Sequence, residues 1–316
     1  MAEHSPQTPN QKYKVVVAIP CYNEALTIAK VVEDFRRVLP EAEIYVFDNN
    51  STDDSAKLAR DAGAYVQRVP KQGKGYVCQM IFERLYADAL IMVDGDDTYF
   101  AEDAPKLLEP VLNGEADMVV GNRLQAASDA SMVRLHQFGN RLIVGTINRM
   151  FGTTYLDILS GYRVFGPRFL ESVPVLTGGF EIETEMTLQA LEAGLAVIEL
   201  PVSYRSRPQG SESKLRTWSD GYRIMLTAAI LLRDHRPLIV FGLVSALCWL
   251  AAAVAAVLRI LNYLSVTVFS ESLLTGLILL LVPLGGISFA VGLILNAVNT
   301  RFQEMKQIMQ RNKKPQ

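Results

Sequence analysis

The chain has 316 residues, half of them hydrophobic, and a formal net charge of -2. That length has room for one large domain and a small accessory region, and the near-neutral charge supplies no global basic field for nucleic acid. Cys21, Cys78 and Cys248 are too widely spaced for a disulfide framework or a zinc site, which accords with a reducing cytosol.

Residues 1–13 (MAEHSPQTPNQKY) are polar and lack the apolar core of a signal peptide, so a short disordered arm is expected. From Lys14 strand-like and helix-like segments alternate: KVVVAIP, a helix from about Ala25 to Leu39, EIYVFD, a short helix after Asp53, AYVQRV, a helix from about Gly75, ALIMVD, a helix near Glu102 to Leu112, and DMVVGN. Short apolar runs separated by helices read as buried strands of a mostly parallel sheet, an α/β architecture suited to nucleotides. In MVRLHQFGNRLIVGTINRMFG, apolar residues recur at helical spacing with Arg134, Arg141 and Arg149 at other positions. That helix lies either at a membrane surface or on the surface of the soluble domain. A second such stretch, SDGYRIMLTAAILLRDHR, runs into the apolar region and is expected to touch the membrane.

Two spans are expected at about Leu238 to Leu258 and Leu273 to Val298, forming a hairpin; two core helices of a soluble protein are the alternative. Arg223, Arg233 and Arg236 precede the first span, and Arg301, Lys306, Arg311, Lys313 and Lys314 follow the second, against Arg259 alone towards the loop. The positive-inside rule then puts the first domain and the C-terminal tail in the cytoplasm. The expected division is 1–13 arm, 14–215 catalytic domain, 216–236 juxtamembrane amphipathic helix, 237–299 transmembrane hairpin and 300–316 basic tail.

Asp94-Gly95-Asp96-Asp97 follows the apolar strand ALIMVD, at the carboxyl edge where open α/β sheets bind ligands. Carboxylates crowded there repel each other unless a cation joins them, and oxygen ligands suit Mg2+ or Mn2+ carrying a nucleotide diphosphate. Pro20-Cys21-Tyr22-Asn23-Glu24 and Asp48-Asn49-Asn50-Ser51-Thr52-Asp53 follow the first two strands. Each alone would pass as turn and cap chemistry, but together with Asp94 and Asp96 they outline a nucleotide cleft. The Lys71-Gln72-Gly73-Lys74-Gly75 loop is not a Walker A phosphate loop.

The ordered motifs PCYNE, DNNSTD, GKG, DGDD, GNR, SGYR and GSESK resemble those of family 2 glycosyltransferases. More narrowly, they are similar to the dolichyl- or undecaprenyl-phosphate hexosyltransferases, whose catalytic domain has the GT-A fold. The resemblance spans about Lys14 to Arg223. It implies that Pro20, Tyr22, Glu24 and Asp48, with Asn49, contact the nucleotide, and that Asp94, Gly95 and Asp96 hold nucleotide and metal. It puts Arg123 on the sugar or phosphate side, Arg163 of SGYR among the catalytic residues, and Arg207 and Lys214, with Arg205 nearby, on the donor diphosphate and acceptor phosphate. Asn49 departs from the second aspartate common in the base-recognition loop, leaving uracil or guanine open. Thr98 stands where a glutamine is frequent, so a third metal ligand is open too.

The implied reaction is inverting transfer of a hexose from a nucleotide sugar, with a UDP-sugar favoured and GDP-mannose the alternative, to a polyprenyl phosphate at the cytoplasmic face, with a homo-oligomer compatible. A phosphomonoester with a second pKa of about 6 needs little general-base help, so His4, His136 and His235 are assigned no catalytic role. Glu181, Glu183 and Glu185 form a second acidic cluster, either near the acceptor or on a solvated face. A processive synthase lacks support, since no Gln-x-x-Arg-Trp element occurs; a transferase with another acceptor and a non-catalytic scaffold are the remaining alternatives.

Overall fold

The computed structural model describes residues 13–124, 144–173, 182–208, 230, 233–234, 236–263 and 270–312. The chain forms two compact units, 1–224 and 225–316.

In the first unit a seven-stranded sheet has the order β3-β2-β1-β4-β6-β5-β7. Its strands are β1 Val15–Cys21, β2 Glu43–Asp48, β3 Tyr65–Arg68, β4 Ala89–Met92, β5 Met118–Asn122, β6 Arg163–Phe165 and β7 Val197–Pro201. All neighbours run parallel except β6, which is antiparallel to both β4 and β5. The five expected strands are β1 to β5. Neither β6 nor β7 is among them: β6 has three residues and opens on an arginine, and β7 (VIELP) is only half-buried.

Packing accounts for the unbroken apolar runs. Along β1, Val17 and Ile19 enter one core with Val32, Phe35 and Leu107, while Val16 and Ala18 enter the other with Ile81, Leu90 and Phe165. A strand covered on both faces needs apolar residues at every position, not alternate ones. The first core receives helices α1 Ile28–Val38 and α4 Ala104–Leu112, the second α3 Lys74–Arg84 and the later α5 Pro167–Ser172 and α6 Ile182–Glu192. The short α2 Ser55–Asp61 joins β2 to β3. Because the order runs 3-2-1-4, the chain changes direction of travel beside β1, and the carboxyl ends of β2, β1 and β4 lie side by side.

In the second unit, α7 Pro237–Tyr263 and α8 Glu271–Asn312 contain windows of mean hydropathy 2.5 of which only 17% and 11% are buried. Leu243, Leu247, Leu250, Leu279 and Ile287 are exposed, which core helices of a soluble protein would not leave in water. Both helices are long and apolar enough to cross a membrane. They pack closely where side chains vanish: a Cβ on Gly285 would lie 2.6 Å from Trp249 Nε1, and one on Gly292 would lie 2.8 Å from Phe241 Cβ. The Trp249 indole N–H donates to the Val282 carbonyl at 3.3 Å, and Ser288 Oγ to the Phe241 carbonyl at 3.0 Å. The second helix continues past Val298 to Asn312, so most of the expected basic tail is helical. Residues 144–151 are helical, whereas 125–143 and most of 216–236, the remaining candidate interfacial stretches, lie outside the described residues.

Phe35 is 1% exposed and meets the Tyr162 ring edge-on at 6.2 Å. Phe35→Ala is expected to cost about 3–5 kcal/mol in urea unfolding of the full chain in detergent. Leu26→Ala, at a position 68% exposed, should change stability by less than about 0.5 kcal/mol.

Candidate active site

Three loops leave the adjacent ends of β1, β2 and β4, and each contains one strained residue. Asn23 (φ 52), Asn50 (φ 63) and Asp97 (φ 59) are the non-glycine residues with positive φ among those described. Asn and Asp tolerate this left-handed region better than other residues, yet such strain persists only where the surroundings enforce it. Here they do. The Asn23 N–H donates to Ser51 Oγ at 3.0 Å, the Thr52 N–H to Asn23 Oδ1 at 2.8 Å, and the Glu24 N–H to Ser55 Oγ at 2.8 Å. Thr27 Oγ1 donates to the Gly95 carbonyl at 2.7 Å, tying the third loop to the start of α1. Gly95 is boxed in, since a Cβ would sit 3.2 Å from Ile28 Cδ1 and 3.5 Å from the Pro20 carbonyl.

Every carboxylate of the third loop is matched with a cation. Lys74, the first residue of α3, is 2.6 Å from Asp94 Oδ1 and 2.5 Å from Glu183 Oε1. Arg207 is 2.6 Å from Asp96 and 3.8 Å from Glu24. Arg205 and Lys30 both pair with Asp97, Lys30 at 3.0 Å, and Arg205 Nε also donates to the Asp97 carbonyl at 2.6 Å. Burial tends to raise the Asp94 pKa, but the neighbouring Lys74 ammonium, with Arg123 and Arg207, holds it below the usual carboxylate range. Burial conversely tends to lower the Lys74 pKa, and Asp94 and Glu183 push it well above its ordinary value. Both groups are charged at neutral pH.

Behind these pairs a second layer fixes their positions. Thr98 donates its hydroxyl to Asp96 Oδ1 at 2.6 Å and its N–H to the same oxygen at 3.2 Å. The SGYR backbone lies against Asp94 so closely that a Cβ on Gly161 would collide with the carboxylate. Tyr99 secures that backbone: it shares a hydrogen bond with Ser160 Oγ at 3.2 Å and accepts the Gly161 N–H at 3.0 Å. Arg123 forms a two-pronged pair with the fully buried Asp157, at 2.7 and 2.9 Å, and its guanidinium stacks over Tyr204 at 5.6 Å. Although burial opposes it, Tyr99 and Asp157 raise the Arg123 pKa well above its ordinary value. Glu199 accepts the N–H groups of Leu156 and Asp157, which steadies the Asp157 carboxylate from behind.

The structure brings Pro20, Tyr22, Glu24, Asp48, Asp94, Gly95 and Asp96 to the three adjacent strand ends, and ties Arg205 and Arg207 to the third loop. Three sequence assignments change. Arg163 is fully buried, donating to the Ser160 carbonyl at 2.9 Å, the Ile158 carbonyl at 2.5 Å and Thr187 Oγ1 at 2.9 Å. Burial pulls its pKa down to about 10. It supports the loop before SGYR from inside the sheet and has no surface with which to touch a substrate. Asn49 donates to the Val69 and Lys71 carbonyls at 3.2 and 2.7 Å and accepts the Gly73 N–H at 2.7 Å. Its amide is thus committed to the loop before Lys74, a pattern that an aspartate, lacking N–H donors, could not make. Thr98, the residue at the open third-ligand position, is 1% exposed and commits its hydroxyl proton to a hydrogen bond with Asp96, which it orients. Lys214, Glu181 and the three histidines lie outside the described residues.

Lys74, Asp157 and Glu199 escape sequence reasoning. Lys74 has a signal, the GKG motif of the glycosyltransferase series, but that motif gives the lysine no partner; Asp157 and Glu199 belong to no motif. Among the described residues no three His, Cys, Asp or Glu side chains are grouped to hold a metal. Asp94 and Asp96 still form a pair of hard oxygen donors already facing cationic nitrogens. That donor set fits a divalent ion whose remaining ligands are phosphate and water oxygens.

A model of the family described as Glycosyl transferase family 2 matches residues 16–171. The chain is 38% identical over 229 residues to Glycosyltransferase AglJ of Haloferax volcanii, covering 72% of this chain and 75% of that one. It is 27% identical over 210 residues to the dolichyl-phosphate hexose transferase of the same organism, covering 66% and 90%. Among solved structures it is similar to glucosyl-3-phosphoglycerate synthase of Mycobacterium tuberculosis in complex with Mn2+, UDP and glucosyl-3-phosphoglycerate. That match has a TM-score of 0.58 and 22% identity, and covers 70% of this chain and 79% of that one, a likeness of fold.

Gly161→Ala should displace Asp94 and lower turnover about 100-fold, the order expected of an ångström-scale misplacement, with an unchanged far-UV circular dichroism spectrum. Burial pushes the Glu185 carboxyl up from 4.5 to about 7, against a hydrogen bond from Gln189. Across that window the unfolded chain has lost this proton and the folded chain retains it, so Glu185 costs stability as pH rises from 4.5 to 7. Glu185→Gln should therefore raise the unfolding temperature at pH 8 and leave it unchanged near pH 4, as read by thermal scans at both.

Proposed function

The chain belongs to glycosyltransferase family 2, and from that premise we propose that it transfers a hexose from a nucleoside-diphosphate sugar to a polyprenyl phosphate at the cytoplasmic face of a membrane. The carrying observation is the Asp94–Asp97 turn at the end of β4, its carboxylates balanced by Lys74, Arg205 and Arg207, in a chain that also has two helices able to span a bilayer. Similarity to a dolichyl-phosphate hexose transferase along 90% of that protein's length supports a lipid phosphate as acceptor. A UDP-sugar is the favoured donor, GDP-mannose the second.

In this reading an acceptor phosphate oxygen attacks the anomeric carbon as the bond from that carbon to the diphosphate oxygen breaks, and the configuration inverts. The attacking oxygen is already anionic at neutral pH, because its second pKa is about 6. The chain's work is then to position two anions against their mutual repulsion and to receive the leaving charge. Tyr22, Glu24 and Asp48 line the nucleotide side. Arg207 carries the positive charge offered to the phosphates, with Arg205 and Lys214 beside it in the chain, and Arg123, held rigid by Asp157, faces the sugar or phosphate side. Asp94 and Asp96 would hold Mg2+ or Mn2+, which neutralises charge on the departing nucleoside diphosphate. The flanking arginines and lysines favour the catalytic domain and both termini on the cytoplasmic side.

Purified protein, Mn2+ and undecaprenyl or dolichyl phosphate should convert at least one of a panel of UDP- and GDP-sugars into a lipid-linked sugar, detected by thin-layer chromatography. No product across the panel would contradict the reading. Asp96→Ala should lower turnover about 100- to 1,000-fold, the scale of losing one group that stabilises transition-state charge. Protease added outside intact cells should leave residues 14–236 uncut; cleavage there would reverse the orientation.

A further inference from the structure

The two carboxylates assigned to a divalent cation are not waiting for one. Asp94 is held by Lys74 and Asp96 by Arg207, both at 2.6 Å. A dication entering this pair would face an ammonium and a guanidinium at close range, at a site shielded only in part from solvent. Lys74 cannot easily retreat. It begins α3 directly after Gly73, whose N–H is fixed by Asn49, and Glu183 in the first turn of α6 grips it from the other side. That second anchor also means that surrendering Asp94 would not strand the ammonium without a partner.

We propose that Lys74, anchored by Glu183, makes cation binding conditional on a nucleoside diphosphate: Asp94 is released to a divalent ion only when the diphosphate brings compensating negative charge. The proposal rests on the glycosyl-transfer reading and adds a role in metal binding for a residue to which that reading gives none in the reaction. Lys74 is here a positioning residue acting through Asp94. A lysine that merely supported the fold would, when removed, weaken the binding of every ligand. A lysine that competes with the metal would, when removed, strengthen cation binding in the absence of nucleotide. The two roles therefore predict opposite signs.

The test is Mn2+ binding to the full-length chain in detergent, followed by electron paramagnetic resonance of free Mn2+, with no nucleotide, with saturating UDP and, as a second arm, with GDP. In the wild-type chain one of the nucleotides should tighten Mn2+ binding by roughly 100-fold, within the usual range of coupling between two sites. Lys74→Met, with Lys74→Gln as a second uncharged variant, should bind Mn2+ alone about tenfold more tightly than wild type, so that the nucleotide adds correspondingly less. Lys74→Arg should keep the wild-type dependence. Equal Mn2+ affinity with and without nucleotide in the wild-type chain, or weaker Mn2+ binding by the uncharged variants, would overturn the proposal. Nucleotide binding that ignores Mn2+ would overturn it while leaving glycosyl transfer standing. No nucleotide binding under any condition would overturn both.

Discussion

Three carboxylates within four residues, at the end of a buried strand, cannot coexist without countercharge, and much of the first unit is arranged around that requirement. Asp94, Asp96 and Asp97 draw Lys74 from the start of α3, Lys30 from α1, and Arg205 and Arg207 from the segment after β7. Three separate stretches of chain are thereby committed to one strand end. The segment after β7 is joined further by backbone: Tyr99 and Tyr204 form an isolated antiparallel bridge, and the Arg205 N–H donates to the Thr98 carbonyl at 3.0 Å. Charge pairing at partly exposed sites is individually weak, but Lys30 and Lys74 are fixed on helices and the arginine segment by its backbone bridge, which gives the pairing geometric definition.

The apolar sheet makes this possible. Buried residues on both faces of β1 and β4 leave no freedom for the strand ends to drift, and a carboxyl group emerging from such a strand emerges in a fixed place. Arg163 extends the same rigidity to the opposite wall. By filling its hydrogen bonds with the Ser160 and Ile158 carbonyls and Thr187, it holds the turn that presents Gly161 to Asp94. Its lost hydration is offset by acceptors in the protein, as burial of a guanidinium demands.

Four of the five expected strands, β1, β2, β4 and β5, are legible in the sequence as short apolar runs flanked by helical periodicity, a pattern that buried parallel strands produce and amphipathic helices or loops do not, whereas the edge strand β3 (YVQR) shows it only in Tyr65 and Val66. The short β6 and the half-buried edge strand β7 lack that pattern. Their placement is dictated by tertiary pairing, β6 slotting antiparallel between β4 and β5. For the site, position is legible and orientation is not. Asp94, Asp96, Glu24 and Asp48 stand out because they follow strands, whereas the direction of the Asn49 amide, of the Thr98 hydroxyl and of Arg163 depends on contacts made only in the folded chain. The Lys74–Glu183 pair, separated by 109 residues, has no local signature at all.

The second unit contains one feature whose reach extends beyond anchoring. The helix Glu271–Asn312 has 42 residues, about 63 Å of continuous rod at 1.5 Å per residue, against a hydrocarbon core of about 30 Å. Adding or deleting a single residue between Thr300 and Asn312 would advance or retard everything beyond it by about 100° around the helix axis and shift it by only about 1.5 Å. Helical phase, more than length, is what such a change would alter at the far end of this segment.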